Sequence, residues 1–500
     1  AKQGKYDMDI LHFNKWFKDK LSSDTEFSND WKNYNDFYER YSEFLYEKYK
    51  LQSSGDPNYY KFFIERDFQL IKQNAYFCLL VPSGFQTDAG SILLRDLLIN
   101  QYTLNEIKSF ENRGYFAPDK KFKVKLFPEV DNRFKFSIVF AQKKHRDETD
   151  FNAKFYMRHP NELKENDIIC YDIDKIKKFS PQTISIMEFR TARDYEICLK
   201  IRSEYKLFAE THFKLRSEFH MTNDSHLYNS LIDIKEQKGV SFLRLYEGKM
   251  IHQFTSSYAE PRYFIKEIEA RKVLFKKVLH RIKQENELTS EDFKKLRIPD
   301  DLLMDYQTYR FVYRAIASST NERTLISSIV PPKTFIGHSM NFIVNLMYAI
   351  EDNKVTARIV SNQDLIFILS IFNSLTLNYY VRNKVSANLT MNFIYELPIA
   401  DTSEDIKTRI IELGFNLLYK KSNKPDFEDL KNELNIKKVI NKDENEIRAE
   451  LEIIIAKHLY KLSFDDWQYI CSTFTFGGES DTKAELDEVI SKSIDLWDIF

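Results

Sequence analysis

Cysteine is scarce in this sequence, and long apolar runs are missing. The four cysteines among its 500 residues, Cys78, Cys170, Cys198 and Cys471, lie far apart and form no C-x-x-C pair. This spacing argues against a zinc site or a disulfide framework, and it suits a reducing cytoplasm, where we expect the protein to be located. No apolar run approaches the roughly 18 residues of a membrane-spanning helix, and the N-terminal region does not resemble a signal peptide.

An excess of one charge sign is also missing, because the formal net charge is only −1. The balance hides an uneven distribution, with +1 in residues 1–150, +6 in residues 151–400 and −8 in residues 401–500. A mildly basic middle is compatible with a surface that faces phosphates, whereas the acidic tail is not expected to lie along DNA. Aromatic residues are abundant, with 41 Phe and 29 Tyr, and they serve either core packing or stacking on bases.

Hydrophobic patterning predicts α/β structure in the first third of the chain. Residues 59–72 form a predicted amphipathic helix with Phe63, Phe68 and Ile71 on one face. The following run, AYFCLLV (75–81), is short and apolar on both faces. Such a run is typical of a central strand in a parallel sheet.

Turn residues and further strands extend this pattern. Pro82-Ser83-Gly84 closes the apolar run, and Asp88 is predicted to cap the next helix, which extends through Ile99. Two more strands are predicted over residues 104–110 and 134–141. Three strands are too few for a doubly wound sheet, so we expect the remaining strands to come from an upstream segment or another chain.

Residues 151–400 mix short strands, helices and long loops. Residues 184–189 and 241–251 are predicted to be extended, whereas residues 262–286 and 363–383 are predicted to be helical. The last hundred residues have a helical and acidic pattern. Length alone favours about two to four domains, and we place them at residues 1–150, 151–400 and 401–500.

A series of sequence blocks carries a resemblance to a known family. Each block is weak evidence alone, but together they follow the family's order from about residue 55 to 475. They resemble blocks of the large gamma-type DNA adenine-N6 methyltransferases, which include the fused type IIG restriction-modification enzymes and the phage-defence methyltransferases of BREX systems. The blocks are GDPNYYKFFIERDFQLI (55–71), AYFCLLVPSGFQTDAG (75–90), SFENRGYF (109–116), LFPEVDNRFKFSIVF (126–140), FRTARDYEI (189–197), LYEGKMIHQF (245–254), PRYFI (261–265), YRFVYRAIASSTNERTLISSIVPP (309–332), NFIYELPI (392–399) and RAELEIIIAKHLYKLSFDD (448–466).

The resemblance implies a fold and a reaction. It implies the C-terminal strands of a Rossmann-like methyltransferase sheet, then an α+β target-recognition domain and a helical C-terminal domain. The implied reaction is methyl transfer from S-adenosylmethionine to adenine N6 in double-stranded DNA, with the target base flipped out of the duplex. The chain would supply the DNA-recognition half, and its partners would be double-stranded DNA and the missing N-terminal methyltransferase half, with or without a nuclease domain.

Two motifs that this chemistry requires are absent from the sequence. The nearest match to an (N/D/S)-P-P-(Y/F) catalytic loop is Asp56-Pro57-Asn58-Tyr59, which has one proline and follows no buried strand. A turn and helix cap explains it better. None of the 11 glycines lies in a Gly-rich turn after an apolar strand, as close approach of a cofactor would require. We therefore expect no catalytic residue and no cofactor site in this chain, and no activity from the chain alone.

The resemblance also assigns candidate site residues. Phe127 matches the aromatic residue that stacks on the flipped adenine, although a buried Phe at a strand edge is a comparable alternative. Ser83 and Gly84 match a turn on the active-site face. Predicted DNA contacts are Arg190, Arg193, Gly248, Lys249, His252, Arg262, Arg310, Arg314 and Arg323. For each of the arginines and for Lys249, a structural salt bridge is an equally weighted alternative. Of the predicted contacts, Lys249 and His252 are expected nearest to DNA, with Gly248 in a tight turn that lets backbone approach closely.

Nuclease activity and stand-alone binding are the other candidate functions. Glu-x-Lys triplets at residues 162–164, 236–238 and 247–249 could suggest a nuclease, but about that many arise by chance in a Glu- and Lys-rich chain, so no nuclease is predicted here. A stand-alone DNA- or protein-binding module, or one subunit of a split methyltransferase, is the alternative. The chain begins at Ala1 without methionine, so we expect residues 1–500 to be part of a longer protein.

Overall fold

The computed structural model divides the chain into two compact units, Ala1–Ile186 and Met187–Phe500. The structure describes residues 10–52, 58–116, 122–132, 134–144, 150–235, 239–316, 323–384, 389–474 and 481–500. The helices of the first unit are α1 (Ile10–Ser23), α2 (Thr25–Lys48), α3 (Tyr59–Leu70), α4 (Gly84–Thr87), α5 (Ile92–Gln101) and α6 (Ile173–Phe179). Its strands are β1 (Tyr76–Pro82), β2 (Thr103–Glu111), β3 (Tyr115–Phe116), β4 (Lys123–Val124), β5 (Lys135–Gln142), β6 (Asp150–Met157) and β7 (Ile169–Asp172).

The main sheet of the first unit is mixed. Its strand order is β1-β5-β2-β6-β7, in which β5 is antiparallel to both of its neighbours and β2 is parallel to β6. The prediction that β1 is a central, parallel strand is therefore wrong. Within the described residues, β1 is an edge strand with an antiparallel partner. The apolar run predicted that both faces of β1 are buried, but the side chains of Tyr76 and Leu80 are exposed. An α/β unit is present, whereas a Rossmann-like arrangement stays a prediction.

Two further expectations for the first unit are corrected. The unit extends past residue 150, where a domain boundary was predicted, because β6 and β7 are hydrogen-bonded into the same sheet. Helix α3 forms as predicted, but it buries Phe62 and Phe68 while Phe63 is 66% exposed. Phe63 and Phe68 are five residues apart, which rotates one about 140° from the other on a helix, so they cannot share a face.

The second unit combines short strands with many helices. Its helices are α7 (Ala192–Ser203), α8 (Leu231–Lys235), α9 (Glu267–Glu285), α10 (Ser290–Lys294), α11 (Asn362–Asn373), α12 (Leu375–Lys384), α13 (Met391–Tyr395), α14 (Glu404–Lys421), α15 (Glu428–Glu433), α16 (Glu444–Ile453), α17 (Phe464–Ser472) and α18 (Asp481–Asp495). Its strands are β8 (Lys206–Leu207), β9 (Leu215–Arg216), β10 (Phe242–Tyr246), β11 (Tyr263–Lys266), β12 (Arg310–Arg314), β13 (Ser327–Val330), β14 (Phe335–Ile336), β15 (Met340–Ile343), β16 (Leu346–Glu351), β17 (Lys354–Ile359) and β18 (Pro398–Ile399). The larger sheets have the orders β13-β12-β15-β9 and β11-β10-β14.

The core of the second unit is built around α11 and α12, whose side chains are almost all buried. Within the described residues no single helix is long and apolar enough to cross a membrane, although these two, bent by 65°, reach the required length and composition as a pair. The last hundred residues are helical where described, as predicted, but they belong to the same compact unit as the residues before them. Residues 184–189, predicted to be extended, form no strand.

Candidate functional site

The ends of β1 and β2 meet at one edge of the main sheet. The strand register pairs Pro82 of β1 with Phe136 of β5, and Phe136 with Phe110 of β2. Because β5 lies between β1 and β2 and neighbouring strands are about 4.8 Å apart, the residues that follow β1 and β2 are separated by about 10 Å. The carboxyl ends of strands are the usual ligand-binding edge of open α/β sheets. This edge is therefore the candidate active-site region of the first unit.

The predicted turn at Ser83 and Gly84 lies at this edge. The Ser83 amide donates to the Lys135 carbonyl (3.1 Å), which ties the turn to β5. A Cβ at Gly84 would stand 2.5 Å from a carboxylate oxygen of Asp88, so this position accepts only glycine without movement of Asp88. The prediction that Asp88 caps the next helix is wrong, because α5 begins after Ser91.

A buried arginine stabilises the same turn. Arg95 on α5 is fully buried and donates to the carbonyls of Phe85 (2.8 Å), Asp88 (2.9 Å), Thr183 (2.6 Å) and Ile184 (3.1 Å). A guanidinium offers five N–H donors in a rigid plane, so one side chain can serve several carbonyls at once. Arg95 therefore fixes the backbone that follows β1.

Phe127 lies in the loop between β4 and β5 and is 37% exposed. Its ring is perpendicular to that of Phe136, with centroids 4.7 Å apart, and Phe136 lies parallel to Phe110 at 5.2 Å. The structure thus brings Phe127 to the edge that carries Ser83 and Gly84. Because more than a third of the residue is exposed, Phe127 is not the buried side chain of the alternative interpretation, and part of its ring is available to a ligand.

The side chain of Asn112 connects this loop to the end of β2. Its Nδ2 donates to the carbonyls of Phe127 (2.9 Å) and Val130 (3.0 Å), and its Oδ1 accepts from the Phe127 amide (3.0 Å). Sequence reasoning included Asn112 in a resembling block but gave it no role. An asparagine directly after a strand was the available signal, because such residues commonly bond to nearby backbone.

Gly84 and Gly114 are the described glycines that come soonest after strands of the main sheet. A Cβ would meet Asp88 at 2.5 Å in the first case and the Val124 carbonyl at 2.9 Å in the second. Each glycine therefore permits a close approach within the chain itself.

The second unit carries a group of cations around a one-turn 3-10 helix, Gly248–Met250, after β10. Arg314 packs beside this turn, since a Cβ at Gly248 would stand 3.5 Å from its Cγ, and it donates to the Ile251 carbonyl. Among the described residues no carboxylate lies within ion-pair distance of Arg314. Burial lowers the pKa of its guanidinium. Gly248 is itself buried, and its amide donates to the Ser339 hydroxyl (2.9 Å), so this amide is already used within the chain.

Lys249 and Arg262 flank the same turn, and about half of each side chain is exposed. Both face Glu247, at 3.7 Å and 2.7 Å respectively, and the Arg262 guanidinium stacks on Tyr263 at 4.4 Å. Two cations thus share one carboxylate. We call Lys249, Arg262 and Arg314 the cationic cluster; with Glu247 included, it keeps a surplus of positive charge.

The surroundings of His252 disfavour the charged form of its imidazole. Its ring stacks on Tyr258 at 4.9 Å and is half-buried. Burial, followed by the positive charges of Arg314, Arg323 and Lys421, lowers the pKa of His252 to about 4. The imidazole is therefore neutral at pH 7, and it cannot serve as the cation that a phosphate contact requires.

One family model matches part of the first unit. Residues 27–116 match the family model described as Eco57I restriction-modification methylase. The chain resembles restriction-modification methylases of the Eco57I family. No curated protein sequence matches it.

Solved restriction-modification enzymes show a distant likeness. The type IIL enzyme MmeI in complex with DNA has 10% identity and a TM-score of 0.42, over 90% of this chain and 54% of that one. The type IIG endonuclease BpuSI has 12% identity and a TM-score of 0.30, over 89% and 50%. The type ISP enzyme LlaBIII bound to DNA has 8% identity and a TM-score of 0.41, over 77% and 28%. The chain spans about half the length of MmeI and BpuSI.

The remaining arginines in the methylase-like blocks are in different environments. Arg310 is completely buried and donates to both Glu218 carboxylate oxygens, at 3.0 and 3.1 Å, so the structure supports the salt-bridge alternative for this residue over a DNA contact. Arg193 is exposed but donates to the Asp465 carbonyl (3.0 Å). Arg323 donates to the Gln253 side chain (3.0 Å), whereas Arg190 is exposed.

The structure describes part of the two motifs that the sequence argued against, the catalytic loop at residues 56–59 and the Glu-x-Lys triplets. Asn58 caps α3 by accepting from the Tyr60 amide (3.3 Å), as the turn-and-cap interpretation predicts, while Asp56 and Pro57 lie outside the described residues. Of the Glu-x-Lys triplets, the one at 236–238 lies outside them too, and Glu162 is used as a helix cap. In the described part of the chain no three His, Cys, Asp or Glu side chains are grouped to hold a metal ion.

Proposed function

We propose that this chain is the DNA-recognition half of a site-specific DNA adenine-N6 methyltransferase of a restriction-modification or phage-defence system. The observation that carries the proposal is the match of residues 27–116 to a restriction-modification methylase family. The S-adenosylmethionine site and the catalytic loop would lie in protein outside these 500 residues. The second unit, Met187–Phe500, would supply target recognition.

The chemistry explains what the first unit would contribute. An adenine inside a duplex cannot present its amino group to an enzyme, so the base must leave the stack, at a cost of a few kcal/mol. An aromatic side chain at the active-site edge recovers part of that cost by stacking on the flipped base. Phe127 is part-exposed at the carboxyl edge of the sheet, where such a base would be held. Its proposed role is therefore to stack on the extruded adenine.

The cationic cluster would contact the phosphates of double-stranded DNA. Arg314 supports this role best, because its partly buried guanidinium has a carbonyl and no described carboxylate as a partner. A phosphate oxygen would supply the missing negative charge and form charge-assisted hydrogen bonds. Lys249 and Arg262 would add to the attraction from the same turn.

Salt-dependent DNA binding tests this proposal. The affinity of the chain for a duplex of about three helical turns is measured by fluorescence anisotropy over a range of salt concentrations. Since phosphate contacts are independent of sequence, the unknown target site is not needed; log K is expected to fall linearly with log salt, by about 0.9 for each phosphate contacted. Arg314→Gln should weaken binding and reduce that slope by about 1.

A matched variant controls for general effects of removing an arginine. Arg271 on α9 is likewise bonded to carbonyls, those of Asp300 (2.6 Å) and Leu302 (3.0 Å), but it lies outside the cationic cluster. Arg271→Gln should leave the salt slope unchanged. A flat salt response of the unaltered chain, or equal slopes for Arg314→Gln and Arg271→Gln, would overturn the assignment of this surface to DNA.

A further inference from the structure

Asn112 holds both polar backbone groups of Phe127 with one side chain. It follows β2 directly and is only 1% exposed. The Phe127 amide donates to its Oδ1 at 3.0 Å, and its Nδ2 donates to the Phe127 carbonyl at 2.9 Å. The second hydrogen of the same Nδ2 is directed to the Val130 carbonyl at 3.0 Å. The amide group is therefore fully used on one short loop.

The geometry of these bonds restricts how the loop can move. A side-chain amide is planar, with its donors and its acceptor at fixed angles. Satisfying three backbone groups at once leaves little freedom for the segment from Phe127 to Val130. The Asn112 backbone adds to this restraint, because its own amide donates to the Phe134 carbonyl at 3.2 Å, just before β5. Asn112 thus connects the end of β2, the loop and the start of β5.

Other described contacts of this loop are fewer and more exposed. Lys125 donates to the Val130 carbonyl (3.1 Å) from an exposed position, and the Val130 amide donates to the Phe127 carbonyl (3.2 Å) within the loop itself. The Phe127 ring rests edge-to-face against Phe136. The contact with Phe136 places the ring, but the Asn112 bonds determine where the backbone beneath it lies.

We propose that Asn112 is a positioning residue that presets the Phe127 ring for stacking on an extruded base. The inference rests on the proposed function, in which Phe127 is the stacking residue. A stacking side chain is effective when its own conformation is fixed before the base arrives, because ordering it afterwards consumes binding free energy. Without Asn112 the loop amide and carbonyls would turn to water, and the ring would sample other positions.

The test uses the intact enzyme and a duplex that contains its methylation site, which is first located by sequencing the DNA of cells that express the gene. Replacing the target adenine with 2-aminopurine gives a fluorescence signal that changes when the base leaves the stack and when an aromatic ring quenches it. Four proteins are compared: unaltered enzyme, Phe127→Ala, Asn112→Ala and the double variant. Single-turnover methylation of unmodified duplex is measured alongside.

Each single variant is expected to slow methylation about tenfold, since base–aromatic stacking is worth a factor of about 5 to 150. Loss of quenching should accompany the slower rate, while duplex affinity stays nearly constant. The double variant should behave like Phe127→Ala, because Asn112 acts through the ring. Tyr102→Phe serves as the control: it removes a buried hydrogen bond to the Phe68 carbonyl (3.0 Å) at the opposite end of β2, and should leave rate and fluorescence unchanged.

The outcomes separate the two claims. If Phe127→Ala leaves both signals unchanged, the proposed stacking role fails. If Phe127→Ala is defective but Asn112→Ala is not, or if the two defects multiply in the double variant, the positioning role fails. Asn112→Asp provides a second variant if the alanine protein does not fold, because it keeps the acceptor for the Phe127 amide and loses both donors. It is expected to show the same coupling to Phe127.

Discussion

Arg310, for which the sequence left a DNA contact and a structural salt bridge open, forms a buried ion pair, and its replacement is a sharp test of the second unit. The guanidinium bonds both oxygens of Glu218 and the Thr334 hydroxyl (3.1 Å), and it lies over the Phe342 ring at 5.6 Å. Glu218 also accepts from the Ile336 amide at 2.6 Å. The pair therefore connects β12, β14 and β15 around one buried carboxylate.

Arg310→Ala would leave that carboxylate buried with a single backbone donor. Removing one partner of a buried ion pair costs about 3–5 kcal/mol, because the remaining charge is uncompensated. Burial already raises the pKa of Glu218, against the opposing effect of Arg310, and the variant should raise it further. A carboxyl whose folded-state pKa is raised destabilises the fold increasingly as the pH rises above its unfolded pKa, and the full cost is reached above the folded pKa. The loss of stability should therefore be smaller at pH 5 than at pH 8.

Urea unfolding followed by tryptophan fluorescence measures this effect. Trp467 and Trp497 report on the second unit once Trp16 and Trp31 are replaced by Phe. The double variant Arg310→Met with Glu218→Leu should recover most of the lost stability, because replacing both partners with apolar groups is often neutral. The salt slope of DNA binding by folded Arg310→Ala should equal that of the unaltered chain. Unchanged stability together with a reduced salt slope would refute the structural assignment.

Two further perturbations follow from buried groups in the second unit. His252→Asn should weaken the pH dependence of stability, because the pKa of His252 is about 4 in the folded chain and about 6.5 in the unfolded chain. Between pH 7.5 and 5.5 the unaltered chain should therefore lose about 1.4 kcal/mol of unfolding free energy relative to the variant. Urea unfolding that shows the same loss for both proteins would contradict this. Gly414→Ala places a Cβ 1.9 Å from the Ser370 hydroxyl, where α14 meets α11, and should lower the unfolding free energy by about 1–3 kcal/mol. The loss should be smaller in a Ser370→Ala background. An equal loss in both backgrounds would show that this contact is not the cause.

Local patterning predicted the elements of the first unit better than their arrangement. Apolar runs and turn residues located α3, β1, β2 and β5 to within a few residues. They did not predict that β5 lies between β1 and β2, because strand order depends on hydrogen bonds between segments distant in sequence. The exposed side of β1 was missed for the same reason: an apolar side chain does not specify whether another strand covers it.

The candidate site shows the same limit. Arg310 and Arg314 lie on one strand, four residues apart, and a strand turns both toward the same face. Arg310 is buried because Glu218, 92 residues earlier, lies against it, whereas Arg314 meets a carbonyl instead. Likewise Asn112 and Phe127 belong to two recognisable blocks, but their mutual hydrogen bonds appear only when the loop is folded. A resemblance identifies blocks, and the contacts between blocks decide what each residue does.

Nucleoside mass spectrometry of DNA from cells that express the intact gene tests the central claim most directly. The account predicts N6-methyladenine, confined to one short sequence motif and greatly reduced when the expressed gene carries Phe127→Ala. Absence of any modified base, or the appearance of methylated cytosine in place of methylated adenine, would contradict it.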